Sequence, residues 1–402
     1  MSDVAGAIAI TGIGIVSPLG RTVDSVFDAL VTCRSALAPL SPAEWPHGTP
    51  PVVARITEPL NVQRRKGFRL SRTDRLAVLA ARDALSDAGW SDDPAGCGLI
   101  ASTTVGGLPE ISPTLARDPR RYFRRGGFSA VTAYQNSHVA DAVSEYLSLE
   151  GPRFAVSVAC ASGSMAIALA ARMVVGGTAS RMLAGGAEAL CEFTLSGFNG
   201  LQALDPEPCR PFDKSRNGLN LGEGAAFLAL EELSRAKARK ARVYAVLRGW
   251  AMSNDAYHLT APHPHGSGIS CSVLGAMRLA KVGLDEVGYV NAHGTGTLLN
   301  DVAEAEGYQA AFRGRRDPIP VSSSKSYFGH CLGAAGAIEA VVTLLSMRAS
   351  TLFPTLRQHD PLESPGIDWI ADRPRRRDVP LAISVSAGFG GSNASLVFGL
   401  DG

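Results

Sequence analysis

Long apolar runs are missing from this 402-residue chain. None reaches the ~18–20 residues that a membrane-spanning helix needs, so no membrane span is expected. The N-terminus lacks the charged start and long apolar core of a secretory signal. Paired cysteines are missing as well. The seven cysteines, at 33, 97, 160, 191, 209, 271 and 331, are scattered with no CxxC pair. That scatter argues against a zinc site or a disulfide framework, and it fits a reducing cytoplasm. A charge excess is also lacking. The 39 basic and 37 acidic residues leave a net charge of +2, too small for a typical nucleic-acid binder.

What is present is apolar residues and glycine. Some 46% of residues are hydrophobic and 43 are glycine, which allows a sizeable core with many tight strand-to-helix turns. The length suggests two units or one large duplicated unit. Apolar runs of strand length alternate with helical patterns, which indicates α/β layers. Strands are expected at Ala7–Val16, Cys97–Ala101, Arg181–Gly185, Gly224–Leu230 and Tyr244–Met252. Helices are expected at Thr73–Ala88 and Glu231–Ala241. The runs starting at Ile8 and Tyr244 are both alternating with a glycine inside. Their identity is low and supports a repeat only weakly.

Three residues stand at the ends of expected strands. Arg153–Ala159 reads as a buried strand, and Cys160 follows it in Val158-Ala-Cys-Ala-Ser-Gly163. Met165–Val174 then has helical composition. A strand, a sharp turn and a helix place Cys160 at a helix N-terminus, where backbone N–H groups lower a thiol pKa. The competing reading is an inert buried thiol. His293 follows Val287–Asn291 and precedes the hydroxyl-rich turn Gly294-Thr-Gly-Thr297. His330 follows Ile319–Ser324, with Lys325 between strand and histidine and a small-residue helix start, Gly333-Ala-Ala-Gly336, beyond it. Lys325 reads as a surface lysine or as a group that holds a carboxylate or orients a side chain. A thiol that can carry an acyl group and two imidazoles that can stabilise an enolate suggest carbon–carbon bond formation on thioesters.

In these motifs the chain resembles the β-ketoacyl-acyl carrier protein synthases, in the elongating Cys-His-His branch of the thiolase superfamily. The likeness also covers Ala9–Pro18, Arg210-Pro-Phe-Asp213, Gly222-Glu-Gly-Ala225 and Gly388-Phe-Gly-Gly-Ser-Asn393. It implies an α/β thiolase-like fold, duplicated βαβαβαββ units in a five-layered αβαβα architecture. It places the boundary near residue 243, giving halves 1–243 with the nucleophile and 244–402 with the two histidines. It implies decarboxylative Claisen condensation of an acyl group on Cys160 with malonyl-acyl carrier protein, in fatty-acid or polyketide and polyene synthesis. His293 and His330 then stabilise the enolate, with Lys325 as a fourth member and Glu339 supporting it. Backbone N–H groups of Cys160 and Phe389 form the oxyanion hole. Phe389 gates a tunnel lined by Ile111, Phe198, Tyr134, Gln135, Thr295 and Thr297. No metal or cofactor is implied, since substrates ride on the carrier's phosphopantetheine. The implied assembly is a homodimer, or a heterodimer with a chain-length partner.

Two stretches bear on partner and substrate. Arg64, Arg65, Lys66, Arg69 and Arg72 form a basic cluster, and Arg120, Arg121, Arg124 and Arg125 a second. Each is a solvated face or a docking patch for an acidic carrier protein. Ala387 departs from the family's usual pattern and leaves room beside Phe389. Gly127–His138, with Tyr134-Gln-Asn136, suggests a roomier and more polar acyl tunnel suited to polyene or polyketide chains. Two other readings stand beside an active ketosynthase. A non-catalytic chain-length partner lacks the nucleophile that Cys160 supplies here. A thiolase carries a second cysteine where this chain has Gly388-Phe-Gly-Gly391, and a coenzyme A-dependent initiating synthase pairs cysteine with one histidine and one asparagine.

Overall fold

The computed structural model describes residues 7–45, 48–63, 65, 68–110 and 132–401. Eleven strands form one mixed sheet among them. In chain order they are β1 Ile8–Val16, β2 Gly98–Ser102, β3 Arg153–Val156, β4 Arg181–Glu188, β5 Gly224–Glu232, β6 Ala245–Asn254, β7 Tyr289–Asn291, β8 Ile319–Ser322, β9 Ile367–Trp369, β10 Leu381–Gly388 and β11 Ser392–Gly399. Six helices flank the sheet: α1 Arg72–Asp87, α2 His138–Leu147, α3 Ser162–Val175, α4 Ser267–Ala280, α5 Leu298–Ala311 and α6 Ala335–Arg348.

The sheet order is β9-β8-β7-β10-β11-β6-β1-β5-β4-β2-β3. From the β1–β6 seam outward, the first half runs β1-β5-β4-β2-β3 and the second β6-β11-β10-β7-β8. Each half has two antiparallel pairings followed by two parallel ones. The same arrangement therefore occurs twice. Glycine packing repeats with it. A Cβ on Gly12 of β1 would lie 2.3 Å from the Ala84 carbonyl oxygen and 2.7 Å from the Ala88 nitrogen. A Cβ on Gly249 of β6 would lie 2.2 Å from the Ala276 oxygen and 2.7 Å from the Ala280 nitrogen. In both halves one glycine lets a helix lie directly on the first strand.

The five layers follow from the helix faces. α1 and α2 cover the outside of the first half-sheet, and α4 and α5 that of the second. α3 and α6 pack against each other between them. Every residue of α6 from Ala335 to Met347 is buried, as expected of a helix that is apolar all round. Gly163 permits the close crossing, since a Cβ there would meet the Ala337 nitrogen at 2.6 Å. Among the described residues no helix is long and apolar enough to cross a membrane.

Two expectations about elements need correction. β3 is a short edge strand with one neighbour, and its residues are mostly exposed; Phe154 is 52% accessible. Apolar composition does not distinguish a central strand from an edge strand that another surface can cover. Glu231 belongs to β5, and the helix that follows is only Leu233–Ala238. Glu231 stays in the strand because its carboxylate accepts from Thr11 Oγ1 at 2.8 Å and pairs with Arg239.

Candidate active site

The turn between β3 and α3 presents Cys160. The preceding residue, Ala159, has φ 49°, a left-handed conformation that costs energy for a residue with a Cβ. It redirects the chain sharply, so the thiol sits beside the first turn of α3. His293 lies two residues past β7. Lys325 starts a one-turn helix, Lys325–Phe328, after β8, and His330 follows it. Glu339 comes from α6. Residues from both halves thus meet at one point.

The Cys160 sulfur and one nitrogen of each imidazole lie within 4.8 Å of one another. The two rings meet edge to face at 5.1 Å between centroids. All three residues are buried. These atoms could share a borderline-soft cation, but they are also the atoms that acyl transfer requires free.

Burial dominates the electrostatics. It pushes the Cys160 thiol up to about 12, against the Lys325 charge and a hydrogen bond from the Phe389 backbone N–H, with Glu188 and Glu339 adding to the rise. The expectation of a lowered thiol pKa is therefore corrected. A helix terminus supplies only about 0.3–1 kcal/mol, too little to offset full desolvation. Burial also holds both imidazoles well below 6.5, helped by Lys325 and, for His293, by His330.

That neutrality has a stability consequence. Below pH 6.5 the unfolded histidines bind protons that the folded ones do not. Their contribution is present above pH 6.5 and declines as pH falls, by at most about 1.4 kcal/mol per histidine per pH unit. Denaturant midpoints at pH 7.5 and 5.5 should therefore diverge more in the wild type than in His293→Ala/His330→Ala. Equal acid sensitivity of the two proteins would count against buried neutral imidazoles.

Lys325 is buried in an ion pair with Glu339, and its amine also contacts the His293 carbonyl and, at 3.1 Å, His293 Nδ1. An ammonium has only donors. His293 Nδ1 must then accept, which places the ring proton on Nε2 as a donor. Lys325 lines neither of the two cavities next to Cys160; it orients His293. Ser386 Oγ reaches Glu339 Oε2 at 3.4 Å and Ser164 Oγ at 2.8 Å.

Two carboxylates behind His293 escaped the sequence reading. Glu304 accepts from the His293 N–H at 2.6 Å, the Gly294 N–H at 2.7 Å and the Tyr308 hydroxyl. Burial pushes it up to about 7. Asp301 accepts from the backbone N–H groups of Phe212, Thr295 and Gly296. Their available signal was two acids three apart at the start of a helix that follows a histidine turn.

Cys160 borders two cavities. One, of about 610 Å³, is lined by Thr104, Val105, Tyr134, Gln135, Phe193 and Leu332, among others. The other, of about 860 Å³, is lined by His293, His330, Thr295, Thr297 and Ala387, among others. Phe198 and Phe389 belong to both and stack at 5.6 Å with rings 28° apart. Tyr134, Gln135 and Phe198 border the same cavity as Cys160, and Ile111 lies outside the described residues. Tyr134 and Phe193, which line the first cavity, are 46% and 64% exposed.

The basic cluster is less available than its composition suggests. Arg64 and Lys66, and Arg120, Arg121, Arg124 and Arg125, lie outside the described residues. Arg65 pairs with Glu145 at 3.2 Å and covers the Tyr146 ring. Arg69 is exposed. Arg72 is corrected from docking residue to clamp, because its guanidinium is bidentate on buried Glu223, at 2.8 and 2.6 Å.

Comparison with known proteins agrees with this geometry. Residues 5–236 match the family model for the beta-ketoacyl synthase N-terminal domain, and residues 244–359 that for the C-terminal domain. A 3-oxoacyl-[acyl-carrier-protein] synthase 2 of Vibrio harveyi is 37% identical over 410 residues, covering 97% of this chain and 98% of the relative. Nodulation protein E of Rhizobium meliloti is 36% identical over 405 residues, covering 97% and 98%. A solved ishigamide ketosynthase/chain length factor structure superposes with TM-score 0.90 at 28% identity, covering 98% of this chain and 99% of that one. A beta-ketoacyl synthase from Burkholderia phymatum STM815 gives 0.88 at 31% identity, covering 99% and 100%. With both family models matched and a thiol and two imidazoles gathered between two cavities, the chain belongs to the β-ketoacyl synthase family and is a β-ketoacyl-acyl carrier protein synthase of thiolase-like fold.

Proposed function

We propose that this enzyme loads an acyl chain on Cys160 and extends it by two carbons from malonyl-acyl carrier protein, and that its acyl pocket is adapted to polar or unsaturated chains. The observation that carries this reading is the meeting of two cavities at one thiol. One can hold the growing chain while the other admits the malonyl arm past Thr295 and Thr297. The repeated strand order also supports a boundary between residues 243 and 244.

In loading, the Cys160 sulfur attacks the carrier thioester carbonyl, the bond to the pantetheine sulfur breaks, and the thiol proton leaves on the pantetheine. The N–H groups of Cys160 and Phe389 hold the oxyanion. The Phe389 N–H already faces the sulfur, and such a donor is worth about 3 kcal/mol of barrier. Malonyl-carrier then loses carbon dioxide. The electron pair forms an enolate, whose oxygen accepts from the His293 and His330 rings. The enolate carbon attacks the Cys160 thioester, the carbon–sulfur bond breaks, and the released thiolate takes up one proton. A thioester is already activated, so this chemistry requires no metal or redox cofactor. Phe389, stacked on Phe198, separates the two cavities and moves to join them.

The substrate class is read from Tyr134, Gln135 and Asn136 in the first cavity. Gln135 is exposed in the single chain; once an acyl chain and a partner cover it, an unpaired amide facing a saturated chain costs about 1–3 kcal/mol. Gln135→Leu is expected to raise loading of saturated long acyl groups relative to polyenoyl or oxygenated ones by roughly five- to tenfold. Intact-mass measurement with paired acyl carriers reads the ratio. An unchanged ratio would return the enzyme to ordinary fatty-acid elongation. The exposed rings of Phe193 and Tyr134 on the first cavity support a dimer in which a partner of the same fold closes the pocket. That partner is a second copy or a chain-length factor like the one in the ishigamide complex.

A further inference from the structure

Glu188, the last residue of β4, is fully buried and lines neither cavity beside Cys160, although its charge adds to the rise of the thiol pKa. Its Oε1 accepts from Thr103 Oγ1 at 2.9 Å and from the Val105 N–H at 2.9 Å. Its Oε2 accepts from the Thr104 N–H at 2.9 Å, Thr104 Oγ1 at 2.7 Å and the Gly333 N–H at 2.7 Å. All these partners are hydroxyls or backbone N–H groups. Charge-assisted bonds of this kind are short and directional.

These donors come from two segments that border the cavity next to Cys160. Thr104 and Val105 line the cavity with Cys160, and so does Leu332. Leu332 has φ 42°, a strained conformation in the turn just after His330. The bond from Gly333 to Glu188 holds that turn down. Packing there is tight, since a Cβ on Gly333 would lie 2.7 Å from Glu188 Oε2 and 2.9 Å from Thr103 Cα. One carboxylate from the first half of the chain therefore ties a loop of that half to a strained turn of the second.

We propose that Glu188 is a positioning residue that sets the wall of the acyl pocket beside Cys160, and thereby the preference for long over short acyl groups. The inference rests on the reading of Cys160 as acyl acceptor. Its physical basis is the mismatch that an amide would create. Gln has the shape of Glu but places an N–H₂ among N–H donors, leaving donors unpaired in a buried place. The loop and turn would then separate. A long chain that packs along Thr104, Val105 and Leu332 feels the change, whereas an acetyl group does not reach far along that wall.

The test is the rate of Cys160 loading from acetyl- and from long-chain acyl-carrier, in wild type and Glu188→Gln, followed by intact mass. Long-chain loading should fall on the order of tenfold, with acetyl loading within about threefold of wild type. Equal loss with both groups would make Glu188 a general stability residue, and no loss with either would give it no role; both overturn the proposal. Should Glu188→Gln fail to fold, Thr103→Val removes one donor from a buried residue that lines neither cavity. It should shift the acetyl to long-chain ratio in the same direction by a smaller factor, and an unchanged ratio overturns the proposal. Absence of acyl-Cys160 in the wild type would instead sink the functional reading, so the two failures are distinguishable.

Discussion

Cys160→Ala is expected to leave no acyl mass shift on the protein and to lower condensation by roughly 10⁴-fold or more, the scale reached when a covalent nucleophile is removed. The other six cysteines should not substitute. Burial pushes Cys97 and Cys209 up, the latter to about 11. Cys271 is exposed, and it borders neither cavity that Cys160 does. The fold should survive, since the alanine keeps the Cβ and the Ala159 turn is unchanged. Circular dichroism and the thermal midpoint check that point beside the mass measurement. A full acyl shift in the alanine variant would falsify the assignment of Cys160. The raised thiol pKa adds a second outcome. Resting Cys160 is a protonated thiol, so iodoacetamide should modify it slowly at pH 7 and faster as pH rises through the alkaline range.

His293→Ala and His330→Ala are each expected to cut condensation by about 2–4 kcal/mol of transition-state stabilisation, roughly 30- to 1,000-fold, while some Cys160 acylation remains. The reasoning is that decarboxylation needs two neutral N–H donors at the enolate, whereas loading relies on the thiol and the backbone N–H groups. The Lys325 amine on His293 Nδ1 sets the ring proton of His293 on the other nitrogen. Lys325→Ala should then act mainly through His293, lowering kcat more than it raises KM for malonyl-carrier. Cys160→Gln, which imitates the acylated enzyme, should decarboxylate malonyl-carrier without condensing it. Near wild-type condensation in either histidine variant would rule that residue out of the mechanism.

The chemistry of this protein was more legible in its sequence than its architecture. Cys160, His293, Lys325 and His330 each lie just past an expected strand with a small-residue or hydroxyl turn nearby, and local patterning suffices to mark such places. The repeat was nearly invisible, because identity between the Ile8 and Tyr244 runs is low. It lies in strand order and in the shared need of Gly12 and Gly249 to admit a helix, neither of which fixes neighbouring side chains. Glu188 was missed because its partners lie 83 and 145 residues away along the chain, and Asp301 and Glu304 because they accept from backbone N–H groups behind the histidine turn, which residue patterning does not mark.

By itself the sequence determined the alternating α/β elements, the candidate nucleophile and the order of the two histidines, because these depend on local periodicity, turn chemistry and residue type. Only the tertiary structure decided the protonation of the site and the use of the charges. The thiol is raised rather than lowered because desolvation depends on everything packed around it. Arg72 is a clamp and not a docking charge because Glu223, 151 residues away, is folded against it. Solvent exclusion and long-range pairing are properties of the closed fold, and no window along the chain contains them.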